Sequence, residues 1–234
     1  MIVQVDLRRL LAEVLGTFFL VLIGAGAIVV DGYSRGAVGH TGIALAFAFV
    51  VTAMVYALGH LSGAHINPAV TIAFWFARRF PRRDVIPYIS AQLLGAVAAS
   101  WVLRSAVGPV AHLGATLPSI QAGAAFAIEA LLSFALMFVI MAVATDDRVA
   151  DGFAGIAVGL TVGFCALTGG PLTGASMNPA RSFGPALVGA VWTSHWIYWA
   201  APIFGMMAAA RTYEFLRGAN ALGVSRPIDT QKSR

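Results

Sequence analysis

Three side chains in a very apolar chain are placed to act on a solute: Asn67, Asn178 and Arg181. The two asparagines each open an Asn-Pro-Ala triplet, Asn67-Pro68-Ala69 and Asn178-Pro179-Ala180, and Arg181 directly follows the second. Amide and guanidinium groups donate hydrogen bonds to oxygen. Water or a hydroxyl accepts such bonds, whereas a cation or a proton meets a positive potential. No nucleophile–base set or phosphate-binding loop accompanies them, so neither an enzyme nor a cofactor is expected. The chemistry on offer is selection among small neutral molecules.

The local sequence says what positions these groups. Proline cannot sit in a helix interior without losing a hydrogen bond, but it suits the first turn behind an asparagine N-cap. Each triplet therefore starts a helix. The apolar stretches that follow, Pro68 to about Phe76 and Pro179 to about Gly189, make helices of roughly 15 Å at 1.5 Å per residue, about half of a roughly 30 Å hydrocarbon core. Neither can span a membrane alone.

The rest of the chain supplies the membrane context. Of 234 residues 59% are hydrophobic and only 11% charged, against about 25% charged in soluble domains. Six long apolar segments are predicted, roughly Leu7–Val30, Thr41–His60, Val85–Val107, Gln121–Thr145, Phe153–Leu167 and Ser194–Leu216. The first is longer than a signal-peptide core and contains Glu13, so it reads as a permanent span. The sequence around Glu13 resembles that around Glu129, 116 residues on, and the triplets lie 111 apart. Each half thus runs span, span, half-helix, span. Three full spans per half invert the second half in the membrane, and the half-helices meet near the midplane from opposite faces. The expected fold is an all-α membrane protein with six transmembrane helices, two re-entrant half-helices and an inverted repeat. Residues 1–217 form one channel domain, with repeats at about 7–107 and 121–216, and 218–234 form a polar cytoplasmic tail.

The formal charge of +5 reports topology and not nucleic-acid binding, because the basic residues sit in short connections. With both termini inside, twelve of the 15 Lys and Arg residues fall on the inner side, including Arg78, Arg79, Arg82 and Arg83; only Arg35, Arg104 and Arg181 do not. A multi-pass protein of a cell membrane, plasma or inner, is expected, with cytoplasmic N- and C-termini. The lone Cys165 excludes an intrachain disulfide. His60 and His65, five apart, would not share a helix face, and no metal site is expected.

Ser62–Thr71 and Thr173–Phe183, with their paired triplets and the arginine after the second, resemble the two pore loops of the aquaporin (major intrinsic protein) family. The resemblance runs from about Glu13 to Trp199. It implies an aquaporin-like right-handed bundle and a homotetramer with one pore per subunit. It also implies that Asn67, Pro68, Ala69, Asn178, Pro179 and Ala180 form the pore centre. Half-helix dipoles and an arginine are the accepted means of cation and proton exclusion in such pores.

The family's selectivity filter carries over, by spacing, to Phe47, Ala166, Ala175 and Arg181. Water-selective members usually have histidine at the Ala166 position, and glycerol channels a second aromatic at the Ala175 position. Phe47 with two alanines implies a wider opening, with an apolar wall and Arg181 as donor. Gly59–His65, Arg79-Phe80-Pro81 and Val143–Asp146 resemble, among the branches, the plant nodulin-like intrinsic proteins and their bacterial relatives, which are associated with glycerol, urea and metalloid hydroxides such as arsenous acid. Ser182, Ala186 and Tyr198-Trp199 resemble the water-channel branch instead. The reading is passive conduction of water and small neutral solutes across the lipid bilayer. A strictly water-selective pore is the alternative, and a coupled secondary transporter the rival class. Glu13 and Glu129 are expected to accept N–H bonds from the pore loops, and His65 to lie beside the inner mouth. Gly24, Gly26, Gly95 and Gly163 are expected at close helix contacts.

Overall fold

The computed structural model describes residues 6–150 and 152–218, and all its regular elements are helices. Residues 219–234, with most of the expected tail and Arg226, Lys232 and Arg234, lie outside the described residues, as does Asp151. Six long helices are present: α1 (Leu7–Tyr33), α2 (Gly39–Ser62), α4 (Arg82–Val107), α5 (Ala122–Thr145), α6 (Ala154–Thr173) and α8 (Ile197–Arg217). The half-helices are α3 (Pro68–Phe76) and α7 (Pro179–Gly189). Five of them are long and apolar enough, by length and composition, to cross a membrane. The sixth, α8, carries Arg211, Glu214 and Arg217 in its last turns.

The repeat organises the packing. Helix α1 packs on α4 and α5 on α8, while α2 packs against α6. The half-helix of each repeat lies against the closing span of the other, α3 on α8 and α7 on α4. Backbones approach closely at glycines: a Cβ on Gly95 would lie 2.2 Å from the Val14 carbonyl oxygen, and one on Gly205 2.1 Å from that of Ala130. Without a strong hydrophobic drive between helices in lipid, such close contact is what holds them together.

Two elements depart from the sequence reading. Helix α6 runs on past Leu167 to Thr173, through Pro171. Proline withholds the N–H that would have bonded to the Leu167 carbonyl, and the His40 ring Nε2 bonds to that carbonyl instead, at 2.8 Å. Gly170 leaves room for the imidazole, since a Cβ there would meet His40 Cε1 at 2.7 Å. Helix α1 is also longer than expected and contains a π-helical turn at Leu20–Ala25.

One face of the bundle is stitched by charge. Asp84 pairs with Arg9 at 3.4 Å, Arg79 binds Glu214 through Nε and Nη2 at 3.1 and 2.9 Å, and Asp146 takes Arg148 at 2.6 Å. Tyr213 also donates to Asp146, at 2.8 Å, tying the end of α5 to α8. Hydrogen bonding to Arg148 holds the Asp146 carboxyl well below the usual carboxylate range. A carboxylate with a depressed folded-state pKa adds stability above its unfolded value and loses it only as pH falls through the folded one. Amide protection of residues 145–150, corrected for intrinsic rates, should therefore be unchanged from about pH 7 to about pH 5, both above the ordinary aspartate value. Asp146→Asn should lower that protection several-fold at either pH, measured by hydrogen exchange.

Candidate functional site

The two pore loops are built alike. Helices α2 and α6 both end on a left-handed glycine, Gly63 and Gly174, each with φ 87°. Left-handed residues then recur at Ala64 and Ile66 in one loop and at Ala175 and Met177 in the other, with φ between 41° and 52°. For a β-branched residue such as Ile66 that conformation is rare, and each instance costs on the order of 1–3 kcal/mol. Something must hold it.

The buried glutamates do so. Glu13 Oε1 accepts from the His65 N–H at 2.9 Å and the Ser62 hydroxyl at 2.7 Å; Oε2 accepts from the Ile66 N–H and Gln92 Nε2, both at 2.7 Å. Glu129 Oε1 accepts from the Thr173 hydroxyl at 2.7 Å and the Ser176 N–H at 2.8 Å, and Oε2 from the Met177 N–H at 2.9 Å. Tyr88 and Tyr198 complete the pattern, donating to the Ser62 and Thr173 carbonyls at 2.9 and 2.6 Å.

At the centre the loops bond to each other. Asn67 Oδ1 accepts from the Ala69 N–H at 2.9 Å, and Asn178 Oδ1 from those of Ala180 and Arg181 at 3.0 and 3.3 Å. These N-cap bonds decide which amide atom is oxygen. Each Nδ2 then donates across: Asn67 to the Met177 carbonyl and Asn178 to the Ile66 carbonyl, both at 2.9 Å. An amide nitrogen has two hydrogens, so each asparagine keeps one for a visitor. Pro68, Ala69, Pro179 and Ala180 form the first turns of the half-helices, all buried.

Both asparagines line one cavity, with Phe47, His65, Ala166, Ala175 and Arg181 also in its wall. A second cavity, lined in part by Ile28, His40 and Gly170, shares Phe47, Ala166 and Ala175 with the first. Those three residues therefore stand where the cavities adjoin. The Arg181 guanidinium lies 5.1 Å from the Phe47 ring centroid, within reach of a cation–π attraction. Arg181 is 2% exposed; Nη1 donates to the Gly114 carbonyl at 2.7 Å, while Nε and Nη2 have no protein partner. Buried donors are seldom left so.

Sequence reasoning missed the loop that orients this arginine. A short 3-10 turn, Val110–Gly114, ends on a left-handed glycine that presses on Ala25 of α1 and offers its carbonyl to Arg181. Two residues on, the Thr116 hydroxyl donates to Ser182 at 2.8 Å, which in turn bonds to the Ser176 hydroxyl. Gly108-Pro109 marked a turn here, but a carbonyl acceptor leaves no signature in side-chain type.

His65 packs among the rings of Phe74, Phe80 and Tyr88 and bonds through Nδ1 to Thr71 Oγ1 at 3.1 Å. It is a buried wall residue. Of the positions that resemble the water-channel branch, Ser182, Ala186 and Tyr198 are buried and none lines either cavity; Tyr198 serves the Thr173 carbonyl, and the Trp199 indole donates to His195 Nε2. Ser182 and Tyr198 support the second pore loop and do not touch the lumen.

The profile of the Major intrinsic protein family matches residues 2–213. Among similar curated proteins, Aquaporin NIP1-4 of Oryza sativa subsp. japonica is 51% identical over 212 residues, covering 90% of this chain and 77% of that protein. Nodulin-26 of Glycine max is 46% identical over 212 residues, covering 90% and 78%. The X-ray structure of the aquaglyceroporin from Plasmodium falciparum superposes with a TM-score of 0.83 at 25% identity, over 92% of this chain and 98% of that one. The half-helices meet through their asparagines at a cavity that Arg181 also lines, and with these likenesses the chain belongs to the major intrinsic protein family of membrane channels.

Proposed function

We propose that the chain is a passive channel for water and small uncharged polar solutes (glycerol, urea and metalloid hydroxides such as arsenous acid) that excludes protons and ions. Phe47, Ala166, Ala175 and Arg181 are its selectivity filter, and the two Asn-Pro-Ala triplets its central donors. The channel is a homotetramer in the plasma or inner membrane, with N- and C-termini cytoplasmic; the clustering of Arg78–Arg83 in one connection supports that orientation.

The observation that carries the solute range is that two alanines, not larger side chains, face Arg181 and Phe47 where the cavities adjoin. A polyol can give its hydroxyl oxygens to the free Arg181 donors and rest its carbons on Phe47. At the centre, positive half-helix ends and two amide donors favour an oxygen that accepts, and repel a hydronium. Glu13 and Glu129 keep the loops in shape and stay out of the conduction path.

Stopped-flow light scattering on proteoliposomes under water, glycerol and urea gradients tests this. Flux of all three is expected, and water flux alone would overturn the broad range. Ala166→His should cut glycerol flux by about tenfold while lowering water flux by less than about threefold, since added bulk in a fitted site discriminates by size. Native mass spectrometry checks the tetramer.

A further inference from the structure

We infer that Gly24, in the π-helical turn of α1, is a positioning residue that sets the width of the filter by giving the Phe47 ring a seat outside the lumen. The inference rests on the reading of Phe47 as a wall of the size-selecting constriction.

The ring lies directly on the glycine. A Cβ at Gly24 would stand 2.2 Å from Phe47 Cε1, 2.4 Å from Cδ1 and 2.8 Å from Cζ. Gly95 and Gly205, by contrast, meet backbone atoms and bring helices together. On its other side the ring faces the Arg181 guanidinium, 5.1 Å away, and both cavities. A ring displaced from α1 would move into the cavities whose wall it shares with Ala166 and Ala175. Restoring ordinary carbon–carbon contact of about 3.5 Å requires a shift of more than about 1 Å.

The device belongs to this end of the pore. Across the repeat offset of 116 residues Gly24 corresponds to Ile140, and α5 passes that point as ordinary α-helix with Ile140 in the cavity wall. Simple packing of α1 would need neither the glycine nor the extra residue of a π turn, a feature that often accompanies function.

The test compares the full-length protein with Gly24→Ala, Phe47→Leu and the double variant, reconstituted in liposomes and assayed for water and glycerol flux. Gly24→Ala should lower glycerol flux about tenfold or more and water flux by less than about threefold. The double variant should recover glycerol flux to at least the wild-type level, because the displaced group is then smaller. An unchanged glycerol-to-water ratio in Gly24→Ala, or a double variant as restrictive as the single, overturns the inference. If Gly24→Ala fails to insert, insertion of the double variant supports a clash with this ring, and failure of both overturns it. Phe47→Leu alone separates the two ideas: an unchanged ratio there removes Phe47 from the constriction, and the role of Gly24 with it.

Discussion

Glu129→Gln should abolish conduction of water and glycerol together and lower the melting temperature of the purified protein. The exchange is nearly isosteric, so the effect comes from hydrogen-bond direction and the lost carboxylate charge. Glu129 presents acceptors only, to the Thr173 hydroxyl and the Ser176 and Met177 N–H groups. A glutamine sets an NH₂ against at least one of them. Each buried donor left unpaired costs about 1–3 kcal/mol. The left-handed residues Ala175 and Met177 lose their anchor as well, releasing strain of similar size. Against a total stability of about 5–15 kcal/mol, that is enough to unseat the loop that carries Ala175, Asn178 and Arg181. The checks are thermal unfolding in detergent and stopped-flow flux. A variant that melts and conducts water like the wild type but alters proton movement would make Glu129 a relay group instead.

Arg181→Ala should open the pore to cations and protons while neutral solutes still pass. The guanidinium is buried, and two of its donors face no protein group. At about 5 Å and an effective dielectric constant of about 20, one positive charge opposes a passing cation by about 3 kcal/mol, roughly a hundredfold in occupancy. Removing it also leaves the Gly114 carbonyl without its donor and adds a weak attraction for cations. Proton leak into liposomes containing a pH-sensitive dye should rise by one to two orders of magnitude, in about the proportion of that barrier. A variant that stays proton-tight would shift the exclusion to the half-helix ends.

Much of the fold is legible in the sequence where the cause is local. Asparagine caps and prolines at the first turn place the starts of α3 and α7 at Pro68 and Pro179, because capping involves residues within one turn. Internal duplication pairs Glu13 with Glu129 before any contact is known. What the sequence hides depends on partners far along the chain. Helix α6 passes Pro171, and the carbonyl that the proline leaves free is met by His40, 127 residues away in sequence from Leu167. The π turn of α1 matters through Phe47, on another helix. The orientation of Arg181 depends on a backbone carbonyl in a connecting loop, a group every residue possesses. Type is likewise silent on which way a side chain points: Ser182 and Tyr198 are buried and line neither cavity.

The crossed bonds between Asn67 and Met177 and between Asn178 and Ile66 bear on how transport proceeds in time. They fasten the two repeats to each other at the point where a rocking carrier would have to part them. Parting would break two buried hydrogen bonds on every cycle. A pore fastened there has no cycle. Each molecule crosses at the pace of its own exchanges with successive donors, and net flow follows the gradient in proportion, without a ceiling set by a slow protein step.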